Sequence, residues 1–182
     1  MIRRAVVSGG IAVIVTILAA FVFSEAMVKK EPHIERLLES ELFRKGETMA
    51  MVCEITAYCP GACCNTEFVP GDNGESAIDW SDQLAVGGLS IRALLDSGIR
   101  PAAVDTSLIP FGSIIDCGGV LYVALDRGGA IKGAKLDLAM GAHDECVAFG
   151  RRRNRIVTVH IPHSPSAVVG MIKKKYGSRG DR

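Results

Sequence analysis

The stretch that decides the fold is residues 121–138, which read LYVALDRGGAIKGAKLDL. Both of its ends are strand-like: Asp126 follows the apolar run Leu121–Leu125, and Asp137 lies within Lys135–Leu138. The turn that joins them is rich in glycine, which lets the backbone approach a ligand or a crossing strand closely. We therefore expect two carboxyl groups on successive strands of a short-stranded β fold, joined by a glycine-rich turn.

A third aspartate, Asp105, follows the apolar residues Ala103 and Val104 in the same way. A carboxyl group crowded by other carboxyl groups can have a raised pKa and keep its proton as an acid. A single aspartate at such a place is commonly a turn cap. Three of them, with a glycine-rich turn between two, indicate a functional cleft.

Further strands are predicted on both sides of this stretch, at Met51–Tyr58, Ser113–Asp116 and Arg155–Ile161. Turns that contain glycine or proline separate them. Two short helices are predicted, at Ile91–Ser97 and Ala142–Phe149, each followed by a glycine. Several short strands with few helices indicate a mainly β fold, a small barrel or sandwich.

The N-terminal region, residues 1–30, is predicted to be a membrane anchor or a signal segment. Ala5–Phe23 is a run of nineteen residues without a charge, preceded by two arginines. As a helix it spans about 28 Å, close to the thickness of a bilayer's hydrocarbon core. Its length favours an uncleaved anchor, whereas Ser24–Ala26 is an acceptable cleavage site. In both cases the arginines place the rest of the chain outside the cytoplasm.

Two segments flank the predicted domain at residues 49–162. Residues 31–48 are predicted to be helical, because Ile34, Leu37 and Leu42 recur at helical spacing. This helix is a stalk, a partner helix or a helix packed on the domain. Residues 163–182 form a basic tail that we expect to be mobile at its end.

Charge is distributed unevenly along the chain, although the formal net charge is only +1. Residues 47–150 carry 14 acidic and 5 basic side chains, whereas residues 151–182 carry 1 acidic and 9 basic side chains. The near-neutral total gives no overall case for nucleic-acid binding. The apolar fraction of 48% excludes a largely disordered chain.

Six cysteines are candidates for disulfides, since an even number outside the cytoplasm is most simply a set of disulfides. They are Cys53, Cys59, Cys63, Cys64, Cys117 and Cys146. The alternative is a zinc site built from Cys59, Cys63 and Cys64, with His143 as a further ligand, and an extracytoplasmic thiol or zinc protein is one alternative function. Because the C-x3-C-C spacing differs from the usual paired C-x2-C motif, disulfides are the favoured prediction and no metal is expected.

The aspartate motif resembles the 3D domain, which is named for three aspartates. This domain occurs in lytic transglycosylases of the MltA type and in small bacterial cell-wall proteins. The resemblance covers about residues 51–160. It is carried by Thr56–Tyr58, Ala103–Asp105 with Ile109, Pro110 and Gly112, Asp126–Gly133 with Asp137, and Ala148–Arg152.

The resemblance implies a small double-psi β-barrel that acts on peptidoglycan glycan strands in the bacterial cell envelope. Asp137 would be the single general acid/base of a lytic transglycosylase, and Asp105 and Asp126 would lie in the same groove. The implied substrate-binding residues are Tyr58, Gly128, Gly129, Lys132 and Gly133. No cofactor is required, and the expected contact with the membrane is through residues 5–23. The alternative is a non-catalytic wall-binding or scaffold module with the same barrel.

Three departures from the family pattern concern the groove. Arg127 replaces the usual threonine and puts a cation beside Asp126. The expected T-A-S-G segment is replaced by residues 84–90, which read LAVGGLS. Met140 and Gly141 stand where an aromatic residue is common. These departures favour the wall-binding alternative.

Overall fold

A computed structural model describes residues 32–71 and 74–177 of the chain. The predicted membrane segment, Ala5–Phe23, lies outside these ranges. Within them, no helix is both long enough and apolar enough to cross a membrane.

The described part of the chain is mainly β, with short helices between the strands. The strands are β1 (Glu47–Tyr58), β2 (Thr66–Gly71), β3 (Gly74–Asp79), β4 (Pro101–Val104), β5 (Ile114–Cys117), β6 (Val120–Asp126), β7 (Lys135–Ala139) and β8 (Arg152–Ile161). The helices are α1 (Pro32–Leu38), α2 (Glu41–Arg44), α3 (Ala62–Asn65), α4 (Ile91–Asp96), α5 (His143–Phe149) and α6 (Pro165–Tyr176).

Six of the strands close into a barrel in the order β1-β7-β4-β6-β5-β8. The pairs β1–β7 and β4–β6 are parallel, and the other pairs in the barrel are antiparallel. Strands β2 and β3 form a separate two-stranded sheet. The predicted barrel and short helices are therefore confirmed.

Strict alternation of side chains divides the apolar residues between the inside and the outside of the barrel. One buried cluster contains Ile55, Val104, Leu136 and Val159, with neighbours two residues apart on the same strands. The second cluster contains outward-facing strand residues, such as Val123, together with residues of the helices. The barrel therefore has a packed interior and a second apolar layer beneath its helices.

The strands that sequence patterns predicted are all present, with small differences at their ends. Strand β1 begins at Glu47 rather than Met51, and β8 begins at Arg152 rather than Arg155. Both extensions belong to the β1–β8 ladder, in which Glu47 pairs with Ile161. The added residues are exposed in both strands, and in β8 they are also polar, so no alternation of buried apolar residues marks these strand ends.

Helices α1 and α2 pack on the domain, which was one of three alternatives for this segment. Ile34 is fully buried and Phe43 is 9% exposed, and both belong to the outer apolar cluster. Helix α2 is also hydrogen-bonded to the segment that follows β8, since the backbone N–H of His163 donates to the carbonyl of Leu42 (2.7 Å).

Residues 165–176, within the predicted tail, form helix α6. Val168 and Ile172 lie one turn apart and are 0% and 3% exposed. The three lysines at the end of the helix follow the apolar stripe and suit the negative end of the helix dipole. Because the segment is basic in composition, this short apolar stripe was not recognised as part of a helix in the sequence.

Gly112 fixes the approach of helix α6 to the barrel. Its φ is +90°, and a Cβ there would lie 2.6 Å from the carbonyl oxygen of Pro165 and 3.2 Å from the Cβ of Val168. We expect Gly112→Ala to lower the free energy of unfolding by about 2–4 kcal/mol, because it adds a backbone clash to the cost of positive φ. Urea unfolding of the full chain measures this change.

Gly119 provides the matched control for this prediction. Its φ is +86°, but a Cβ there would meet no atom within 4 Å. Gly119→Ala should therefore lower the free energy of unfolding only through the cost of a positive φ, by about 1–2 kcal/mol. Equal losses in the two variants would contradict a role for the Gly112–Pro165 contact.

Candidate active site

Asp137 lies in the middle of the barrel wall, on the strand between β1 and β4. Its Cα is in register with Thr56 on one side and with Ala103 on the other. The hydroxyl of Thr56 donates a hydrogen bond to Oδ1 of Asp137 (2.7 Å). Among the described residues Thr56 is the only hydrogen-bond donor to this carboxyl group, so Oδ2 has no protein donor there.

A β-bulge brings Asp126 into the same arrangement. Ala102 of β4 pairs with Ala124 of β6, but the next residue, Ala103, pairs with Asp126, so β6 has one extra residue. A bulge of this kind changes the face to which the following side chain points. As a result Asp126 and Asp137 are both in register with Ala103, one on each side. The small Ala103 side chain leaves the space between the two carboxyl groups free of a larger group.

Asp126 is buried and held by three donors. Its exposed fraction is 8%. The hydroxyl of Tyr58 donates to Oδ2 (2.8 Å), and the backbone N–H groups of Ala85 and Arg127 donate to Oδ1 (2.9 Å each). Three donors directed at one carboxyl group favour its ionised form.

The two carboxyl groups interact electrostatically. Burial raises the pKa of Asp126 and the pKa of Asp137, and the charge of Asp126 raises the pKa of Asp137 further. A negative charge on Asp126 therefore makes the ionisation of Asp137 less favourable. Asp126 has three hydrogen-bond donors and Asp137 has one. We therefore place the charge of the pair on Asp126 and its proton on Asp137.

The pKa of Tyr58 is raised well above its ordinary value by burial and by the neighbouring charge of Asp126. The phenol is therefore neutral and acts as a donor to Asp126. Tyr58 was predicted to bind substrate, but it is only 5% exposed and its hydroxyl points to a carboxylate. Its position two residues after Thr56 on β1 puts both side chains on one face of the strand.

Asp105 has a different environment from the other two aspartates. The hydroxyl of Ser107 donates to Oδ1 (2.7 Å), and the backbone N–H of Gly133 donates to Oδ2 (2.7 Å). These bonds, with the hydroxyl of Ser107 contributing most, lower the pKa of Asp105 to about 2. Asp105 is therefore ionised at neutral pH, and it anchors the loop between β6 and β7.

This glycine-rich loop carries the other residues predicted to bind substrate. A Cβ on Gly128 would lie 2.9 Å from Cγ1 of Ile131, whereas a Cβ on Gly129 would meet open space. Gly133 has a φ of +64°, and Lys132 is exposed. The loop thus presents exposed backbone and two cations, Arg127 and Lys132, between Asp126 and Asp137 in sequence.

Two contacts of the site were not predicted from the sequence. Thr56 lies two residues before Tyr58 on β1, and this spacing could have identified it as a site residue. Ala85 contributes only its backbone N–H, so no side-chain pattern could have indicated it. Its segment, residues 84–90, was expected near the groove, and this bond to Asp126 places it there.

The six cysteines are free in the structure, so the predicted disulfides are not observed. Cys53 belongs to the apolar cluster inside the barrel, and Cys117 packs against this cluster. Cys146 donates from its thiol to the carbonyl of Ala142 (3.3 Å). The remaining three, Cys59, Cys63 and Cys64, lie together beside His143.

Residues 100–161 match a family model described as the 3D domain. Among solved structures, the chain is similar to the crystal structure of MltA from E. coli, with 24% sequence identity and a TM-score of 0.31. That match covers 48% of this chain and 30% of the MltA chain, so the two share less than a third of the MltA length. No curated protein matches the chain.

Proposed function

We propose that this protein is a lytic transglycosylase that cleaves peptidoglycan glycan strands, a proposal supported by the match of residues 100–161 to the 3D-domain family model. The observation that carries the proposal is the pair of carboxyl groups on either side of Ala103, of which Asp126 has three hydrogen-bond donors and Asp137 has one. All three aspartates lie within the matched residues. The enzyme would act in the bacterial cell envelope, outside the cytoplasm. The two parallel strand pairs of its barrel support the double-psi assignment.

Asp137 supplies both proton transfers of the reaction. In its protonated form it gives its proton to the glycosidic oxygen as the bond to the anomeric carbon breaks. The resulting carboxylate then accepts the proton of the muramic acid 6-hydroxyl, whose oxygen attacks the same anomeric carbon. The product is a 1,6-anhydromuramic ring. Since the nucleophile belongs to the substrate and is already positioned, no second carboxyl group has to activate water.

Asp126 supports this chemistry through its charge. It is buried beneath three donors, so it is poorly placed to reach a sugar ring. Its negative charge raises the pKa of Asp137, so Asp137 holds its proton to a higher pH than an ordinary aspartate. Tyr58 and Ala85 hold Asp126 in place, and Thr56 orients the carboxyl group of Asp137.

Asp105 acts as a positioning residue in this proposal. Its bond to Gly133 holds the loop of residues 127–134, whose exposed backbone at Gly129 and cation at Lys132 face a substrate. A glycan strand with anionic muramic lactyl groups or peptide stems offers partners for that cation and for exposed N–H groups. Gly128, Gly129, Lys132 and Gly133 are therefore the proposed substrate-binding residues.

The test is the incubation of purified sacculi with the full chain, followed by mass spectrometry of the soluble products. We expect muropeptides that end in 1,6-anhydromuramic acid. Products with a reducing muramic acid would indicate hydrolysis and would contradict the proposal. Binding of the chain to sacculi without any released product would instead identify it as a wall-binding module.

A further inference from the structure

Three cysteines and one histidine meet at the end of strand β1. The sulfur of Cys59 lies 3.3 Å from that of Cys63 and 3.6 Å from that of Cys64. The sulfur of Cys64 lies 3.5 Å from Nδ1 of His143. All four ligand atoms lie within 4.8 Å of one another.

These separations are those of ligands around a tetrahedral metal ion. With Zn–S bonds of about 2.3 Å and a Zn–N bond of about 2.0 Å, the ligand atoms of such a site lie about 3.5–3.8 Å apart. A disulfide would require two sulfurs about 2.05 Å apart. We propose that Cys59, Cys63, Cys64 and His143 bind one zinc ion as a Cys3His site.

The backbone that carries the three sulfurs is held in a compact turn. The side-chain amide of Asn65 donates to the carbonyl of Cys59 (2.5 Å) and to the carbonyl of Gly61 (2.9 Å). Gly61 also packs against two of the sulfurs, since a Cβ there would lie 3.4 Å from Cys63 Sγ and 3.6 Å from Cys59 Sγ. The turn therefore directs the sulfurs to one point without help from the metal.

The fourth ligand comes from helix α5, 79 residues after Cys64. His143 is the first residue of this helix. The carboxylate of Glu145 accepts hydrogen bonds from the N–H groups of Gly141 (3.1 Å) and Ala142 (3.3 Å), which fixes the start of the helix. The imidazole of His143 is thereby positioned next to Cys64.

Four protein ligands complete the coordination of zinc, so the site is structural rather than catalytic. It would join the end of β1 to the start of α5. Tyr58, which donates to Asp126, directly precedes the ligand Cys59, and its carbonyl accepts the N–H of Met140 (2.9 Å). Zinc would therefore fix the segment that positions Tyr58. The inference does not depend on the proposed glycan cleavage.

The test is the zinc content of the purified full chain, together with its absorption spectrum after loading with Co²⁺. We expect about one zinc ion per chain and the visible bands of tetrahedral cobalt bound to thiolates. Mass spectrometry after alkylation without reductant should find Cys59, Cys63 and Cys64 as thiols. A chain that binds neither metal, or that joins two of these cysteines in a disulfide, would overturn the proposal.

Substitutions of the proposed ligands test which residues bind the zinc ion. His143→Ala and Cys64→Ser should each weaken zinc binding at least roughly tenfold, since removing even a supporting group of a metal site costs that much. His143→Cys should restore binding, because thiolate is also a zinc ligand. The matched controls His163→Ala and Cys117→Ser remove the same residue types elsewhere and should leave zinc content unchanged.

Equal zinc content in the ligand variants and the controls would overturn the ligand assignment. Circular dichroism of each variant reports whether the barrel folds. If His143→Ala does not fold, the cobalt spectrum of the unaltered chain still decides the proposal. Both metal measurements are independent of activity on sacculi, so failure of the zinc site and failure of the proposed function are distinguishable.

Discussion

We expect Asp137→Asn to reduce the release of 1,6-anhydromuropeptides from sacculi by roughly 10²–10⁴-fold, the range for loss of a general acid/base. The carboxamide keeps the shape of the side chain and can still accept the hydrogen bond of Thr56. It has no acidic proton to give to the glycosidic oxygen. Quantitative chromatography of the products over time measures this loss.

The stability of the Asp137→Asn variant distinguishes a catalytic role of Asp137 from a structural one. Burial raises the pKa of Asp137 above its ordinary value of 3.8, so folding favours the protonated carboxyl group. The associated stability is present below pH 3.8 and is lost as the pH rises through the pKa of the folded state. Asn at this position avoids that loss, so we expect Asp137→Asn to be at least as stable as the unaltered chain at pH 7.

The control for both measurements is Asp96→Asn, which changes an exposed aspartate at the end of helix α4. This variant should keep full activity and normal stability. Retained activity in Asp137→Asn would refute its assignment as the acid. Lost activity accompanied by a large loss of stability would indicate that Asp137 supports the fold rather than the reaction.

The alkaline limb of the pH–activity profile should move in opposite directions in two further variants. Activity requires the proton on Asp137, so it falls about tenfold per pH unit above the pKa of that group. Asp126→Asn removes the charge that raises the pKa of Asp137, and the limb should move to lower pH. Thr56→Val removes the hydrogen bond that lowers this pKa, and the limb should move to higher pH.

Conservative variants support the interpretation of these shifts. Thr56→Ser keeps the hydroxyl donor and should restore the original profile. Asp126→Asn retains an oxygen for the N–H groups of Ala85 and Arg127, so its effect reports charge more than packing. Shifts of the two limbs in the same direction would contradict the assignment of the proton to Asp137.

These results would also clarify the role of Arg127. Its backbone N–H donates to Asp126, and its charge lowers the pKa of Asp126, in opposition to the larger effect of burial. The Arg127 side chain itself is exposed. The cation beside Asp126 thus favours its ionised form, which is the state that the proposed mechanism requires.

Much of the fold could be predicted because alternation of apolar residues marks the strands. Ile55, Leu136 and Val159 lie inside the barrel as their spacing requires, and the aspartates follow from the same strands. Helix α6 and the short strands β2 and β3 were not predicted. Val168 and Ile172 form too short an apolar stripe to stand out within a basic segment, and the β2–β3 pair lacks a clear alternation.

The sequence by itself determined that Asp126 and Asp137 lie on successive strands joined by a glycine-rich turn, since local spacing controls strand and turn formation. Only the tertiary structure decided which carboxyl group receives three hydrogen-bond donors and which receives one. That choice depends on a bulge opposite Ala103, on the hydroxyl of Tyr58 and on the backbone of Ala85. These contacts join residues 41 and 68 positions apart. Burial and the number of donors at each carboxyl group exist only once the barrel has closed, and no local pattern specifies them.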